Sequence, residues 1–162
     1  MLIHLMQHGT CLPKELDPHQ PLSPVGREQI EKSAKAAQIL GLNFELMIAS
    51  PKERSIQTAK IMAAQTGYPI PQIEITDAVK AMAPVETTID FIMEYEGLDS
   101  IFIAGHLPSL GTIAATLLTG SNSLNIHIEN GGLLQIDLQL PKNTAILNWT
   151  LSPAQLAQIA NS

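Results

Sequence analysis

Cysteine occurs once in this sequence, at Cys11, so no disulfide can close within the chain. Basic residues are also scarce. Nine Lys and Arg stand against fifteen Asp and Glu, giving a formal net charge of -6. The nine form no cluster, which excludes a nucleic-acid-binding face. No apolar run reaches the roughly 18 residues that a membrane helix needs. The opening "MLIHLMQHG" has neither a basic n-region nor a long h-region, so no signal peptide is expected and the expected compartment is cytoplasmic. Repeats, low-complexity tracts and linkers are lacking too. No CxxC occurs, which leaves His4, His8 and nearby carboxylates as a poor metal set, and no metal or other cofactor is expected.

What is present suits one globular domain over residues 1–162, with 45% hydrophobic and 15% charged residues. Apolar strand-like runs alternate with helical patterns. "LIHLM" is the first strand, followed by a Pro-rich loop from Thr10 to Pro21. "LSPVGREQIEKSAKAAQILG" reads as a helix, with Ser23 as N-cap, Pro24 in the first turn and Gly41 as the stop. "FELMIA" is a strand, and "SPKERSIQTAKIMAAQTG" a helix with Ser50 and Glu53 at capping-box spacing. "IPQIEI" reads as a strand, "PVETTIDFIMEYEG" as a helix, "SIFIAG" as a buried strand and "PSLGTIAATLLTG" as a helix. The tail changes character. "LNIHI", "LLQIDL" and "TAILNW" read as short strands of an antiparallel finish, and Ser152-Pro153 starts a last helix.

This alternation predicts an α/β fold. Its form is a three-layer α/β/α sandwich, a mostly parallel central sheet with helices on both faces and antiparallel strands near the C-terminus. In such sheets the functional loops follow the carboxyl ends of the strands. One such loop carries His8-Gly9, another runs from Ser50 to Arg54, a third spans Thr76 to Pro84 and a fourth carries His106. His8, Arg54 and His106 are far apart in sequence, but this topology brings them to one edge. Neutral imidazole is a nucleophile toward phosphorus. Guanidinium grips phosphate oxygens in a fork, and a helix start adds backbone N–H donors. The expected phosphate ligands are Gln7, Gly9, Ser50, Arg54 and His106. Ser50 also fits an N-cap, as does Ser109. His4, His19 and His127 read as structural or loop residues, and Gly131 and Gly132 as turn residues. A cysteine-based phosphatase would want arginine after five intervening residues, but Asp17 stands there after Cys11.

The motifs resemble those of the histidine phosphatase superfamily, with the phosphoglycerate-mutase-like fold, and most of all its small SixA-type members. "LMQHGT" resembles the Arg-His-Gly opening, and "PLSPVGREQ" the element that follows it. "ASPKERSIQTA" resembles Ser-Pro-x-x-Arg-x-x-Gln-Thr-Ala, and "IAGHLPSLG" the motif of the second histidine. "LNWTLSP" resembles the close of the small members. The resemblance implies a phospho-His8 intermediate, with Arg54 and His106 on the phosphoryl oxygens, no metal and no large cap insertion. It implies as partner a phosphohistidine-bearing protein, a histidine-phosphotransfer domain being one form, or a small phosphate ester. Gln7 stands where the family pattern has arginine. That keeps open a second reading, a module that binds phosphate or phosphohistidine with little or no turnover. A third is a small-molecule phosphomonoesterase. Asp77, Glu86, Glu15 and Asp17 are the candidate general acids, and Lys14, Lys52 and Lys80 the cations that could offset Gln7.

Overall fold

The computed structural model describes residues 1–162. One six-stranded sheet runs through it in the order β3-β2-β4-β1-β5-β6. The strands are β1 (Leu2–Gln7), β2 (Leu46–Ala49), β3 (Glu74–Ile75), β4 (Ser100–Gly105), β5 (Leu133–Gln139) and β6 (Thr144–Leu151). β3, β2, β4 and β1 are parallel, and β5 and β6 join antiparallel. The helices are α1 (Pro24–Ile39), α2 (Glu53–Thr66), α3 (Val85–Met93), α4 (Ser109–Thr119) and α5 (Pro153–Ala160).

Strand direction and crossover handedness sort the helices. The chain moves outward from β1 to β2 and β3, then turns back to β4. Right-handed crossovers in opposite directions put their helices on opposite faces. Accordingly α1 and α2, joined by α5, cover one face over Met6, Met47, Ala49, Phe102 and Ala104. α3 and α4 cover the other over Ile3, Leu5, Ile48, Ile101 and Ile103. The four residues of β2 and all six of β4 are buried, as a sheet covered on both sides requires. The chain leaves β1 toward one edge of the sheet and β4 toward the other. The loops after these neighbouring strands therefore part, and the crevice between them is the topological switch point.

Two expected strands change. In "IPQIEI" only Glu74–Ile75 pairs with the sheet, and Ile70–Gln72 forms a turn of 3-10 helix. "LNIHI" is no strand at all. Its apolar residues alternate at Leu124, Ile126 and Ile128, but only Ile128 is buried. β5 already has β1 on one side and β6 on the other, so the segment before it cannot pair with β5. Ser109 opens α4 as a helical residue, with Pro108 at the cap position, so it is not the cap. α5 is started by a full capping box between Ser152 and Gln155.

Candidate active site

Gln7 of β1 and Gly105 of β4 are register partners. The next residue on each strand is a histidine, and His8 N–H donates to Gly105 O at 3.1 Å. The two imidazoles therefore meet across the crevice, with ring centroids 5.0 Å apart. Both are buried.

His8 is fixed as one tautomer. Its Nδ1 lies 2.7 Å from the Gly9 carbonyl, which can only accept. Nδ1 therefore carries the hydrogen, and Nε2 keeps its lone pair. Arg54 Nε donates to that lone pair at 3.3 Å. The His8 pKa is lowered by burial, partly opposed by the Gly9 hydrogen bond, and lowered further by the Arg54 charge. The ring is thus neutral near pH 7, with a nucleophilic nitrogen facing a guanidinium.

The loop that presents His8 is pinned to both neighbouring helices. Gly9 N–H donates to Thr58 Oγ1, whose hydroxyl donates to the Arg54 carbonyl one turn back. Gly9 thus spends its amide on Thr58 and its carbonyl on His8. It positions the nucleophile through both of its backbone groups. On the other side Asn130 Nδ2 donates to His8 O.

Arg54 is the second residue of α2, and the helix opens at Lys52 without a side-chain cap. Ser50 is not that cap. Its Oγ bonds His106 Nε2, and Ser55 Oγ lies 3.1 Å from the same nitrogen. Ser50 is wholly buried, and its hydroxyl serves His106. His106 has its pKa lowered to about 3, by burial first and then by His8, Arg54 and Lys52. Gln7 makes no side-chain bond to His8, Arg54 or His106. Its Oε1 is buried without a partner, and it lines a polar cleft of about 260 Å³ with Thr10, Gln29, His127, Glu129 and Asn130.

The carboxylates expected as acids lie apart from this group. Asp77 is exposed and pairs with Lys80 at 3.1 Å, Asp17 accepts from His19 N–H, and Glu15 and Glu86 are exposed. None bonds His8, Arg54 or His106. Ser55, Thr58 and Asn130 were not singled out from the sequence. The signal for the first two was available. They share the buried stripe of α2 with Ala59 and Met62, where a hydroxyl needs a partner.

Two buried imidazoles, a guanidinium and an uncapped helix start at a switch point define a site for an anionic group on an α/β sandwich. Residues 3–82 match the model of the Histidine phosphatase superfamily (branch 1). An uncharacterized protein of Picosynechococcus sp. (strain PCC 7002) is 27% identical over 142 residues, covering 83% of each chain. Among solved structures, the protein histidine phosphatase SixA complexed with tungstate superposes with a TM-score of 0.86 at 22% identity, over 96% of this chain and 99% of that one. The alpha-ribazole phosphatase from Shigella flexneri gives 0.74 at 18% identity, over 94% and 97%. The fold is theirs, with no large insertion.

Proposed function

We propose that this chain is a phosphatase that works through a phospho-His8 intermediate, and that its substrate is phosphohistidine displayed on a protein. The observation that carries the reading is the His8 ring. It is neutral, its Nδ1–H is tied to Gly9, and its Nε2 lone pair faces the Arg54 guanidinium. In the first step Nε2 bonds to phosphorus as the P–N bond of the substrate breaks. The leaving nitrogen takes the electron pair of that bond, and the departing imidazole is neutral because its other nitrogen already carries a proton. Arg54 turns its N–H groups from His8 to the phosphoryl oxygens, and His106 bonds them from the opposite strand. In the second step water attacks phosphorus, the bond to His8 breaks, and inorganic phosphate leaves with the neutral ring restored.

The lack of a carboxylate at the nucleophile supports a phosphoramidate substrate. Its imidazole leaving group can carry its own proton, whereas an alkoxide leaving group needs an acid. The absence of a large insertion supports an open approach for a protein. The likeness to a phosphatase of a small ester keeps that class as the comparison substrate. Gln7 supports one other reading, binding without turnover, because a neutral amide replaces a cation beside the nucleophile.

The test is hydrolysis of a phosphorylated histidine-phosphotransfer domain by the native chain beside His8→Ala. Phosphate release by the native chain alone is expected. Retention of the phosphodomain with no release by either chain would establish the binding module instead.

A further inference from the structure

His106 is held by two hydroxyls, both at the same ring nitrogen. Ser50 Oγ and Ser55 Oγ lie 2.5 and 3.1 Å from Nε2. Nδ1 bonds nothing in the chain, so it is the nitrogen left for a ligand. Both serines are wholly buried, and they reach the ring from different elements, the end of β2 and the first turn of α2.

The hydrogen-bond inventory leaves both hydroxyls free to donate in these contacts. A hydroxyl has one hydrogen and two lone pairs. Ser50 Oγ accepts the Lys52 N–H at 3.4 Å, which leaves its hydrogen for His106. Ser55 has no other partner, and in particular no bond to a carbonyl one turn back. Both hydroxyls can therefore point hydrogen at Nε2. The alternative is an N–H on Nε2 shared between two oxygens. That would spend the only donor of a neutral ring inside the protein and turn a bare lone pair toward an incoming anion. Burial and the neighbouring cations keep the ring neutral, so the ring cannot escape this choice by taking a second proton.

We propose that Ser50 and Ser55 are positioning residues that hold His106 as the Nδ1–H tautomer, so that its neutral ring donates a hydrogen bond to a bound phosphoryl oxygen. This rests on the phosphate-handling reading of the site. The two histidines then share one tautomer and use it oppositely. His8 buries its Nδ1–H on Gly9 and presents a lone pair. His106 buries its lone pair on two serines and presents an N–H. The result is an electron-pair donor and a hydrogen-bond donor on rings whose centroids lie 5.0 Å apart, without a charge on either ring. A site that lacks a cation at Gln7 gains a donor this way.

The experiment is ¹⁵N spectroscopy of the full chain labelled at histidine, near pH 7.5, alone and with inorganic phosphate. The expected result is a hydrogen on Nδ1 and a bare Nε2 for His106 in both samples. A hydrogen on Nε2 overturns the proposal. The Ser50→Ala/Ser55→Ala double variant is expected to move the ring toward the Nε2–H form and to weaken phosphate binding about tenfold, the scale of one lost hydrogen bond. The His8 signals should stay unchanged, because Gly9 still fixes that ring. A folded double variant with an unaltered His106 tautomer also overturns it. If the double variant does not fold, the native spectrum decides alone. A native chain with the Nδ1–H form and no hydrolytic activity would count against the phosphatase reading and leave this one standing.

Discussion

Arg54 Nε donates to His8 Nε2 at 3.3 Å, so the guanidinium rests against the lone pair that a phosphoryl group would take. The contact joins the first turn of α2 to the end of β1, and Thr58 braces it from below through Gly9 and the Arg54 carbonyl. Arg54 thus has two effects. It lowers the His8 pKa through its charge, and in the proposed mechanism it is the guanidinium that meets the phosphoryl oxygens.

Arg54→Ala should therefore do more than weaken binding. Loss of a preorganised donor at developing negative charge costs about 10²–10³ in rate. We expect a fall of at least that size in kcat/KM, together with a His8 pKa closer to its ordinary value. Steady-state kinetics and a histidine titration by NMR read the two effects separately. A tenfold loss or less, with the His8 titration unmoved, would show that the contact is incidental.

Gly26 sets the approach of α1 to the nucleophile loop. A Cβ there would stand 1.8 Å from the Thr10 carbonyl oxygen, which is backbone and cannot rotate away. The same carbonyl accepts from Ser23 N–H and Ser23 Oγ, so the helix start and the loop are locked together. Gly26→Ala should destabilise the fold by about 3 kcal/mol or more, the upper range for overpacking. Urea denaturation checks this, and a midpoint within error of the native chain would contradict it.

The placement of His8, Arg54 and His106 was legible because it obeys two rules that survive without coordinates. Function in a parallel sheet gathers at strand carboxyl ends, and His8 and His106 each follow a strand end directly. Arg54 came with a recognisable motif at a helix start. The hydroxyls were not legible. Ser50 and Glu53 have capping-box spacing, yet the helix starts at Glu53 and the serine is taken by a histidine 56 residues away. Local spacing cannot report a partner supplied by another strand. The same holds for Gly9, whose amide is claimed by Thr58 from 49 residues on. "LNIHI" misled because alternation shows what a strand could do, whereas an open sheet edge decides whether it does.

His4 links folding to pH. It is buried in β1, its Nδ1 bonds Ile101 O, and its Nε2 meets Gln135, which in turn accepts from Asn148. Its pKa is lowered to about 4, mainly by burial. The unfolded chain binds this proton below the ordinary value of about 6.5, and the folded chain does not until about pH 4. His4 therefore contributes stability that is full above pH 6.5 and is lost as pH falls toward 4, about 3 kcal/mol over that window. His106 adds a loss of the same sign. Urea unfolding at several pH values should show stability falling from pH 7 to 4.5. His4→Gln should lower stability at pH 7 and reduce the slope by about one proton. An unchanged slope in that variant would show that His4 is already charged in the folded chain.

Gln7 offers the sharpest pH test of the nucleophile. Catalysis needs neutral His8, so the rate should fall as pH drops through the lowered His8 pKa, the acid limb lying below about 6.5. A cation disfavours protonation of a nearby imidazole. Arginine in place of Gln7 would add one at the residue preceding His8. Gln7→Arg should therefore move the acid limb to lower pH. It should also raise the plateau, since a charge-assisted donor is roughly twice as strong as a neutral one. The polar cleft beside Gln7 gives a longer side chain room to turn, and the orphaned Oε1 means that no hydrogen bond of that oxygen is lost. The measurement is kcat/KM against pH for both chains on the same phosphorylated domain. A raised plateau with an unmoved limb would mean that the arginine binds substrate without reaching the field at His8. No change in either would show that residue 7 lies outside the working site.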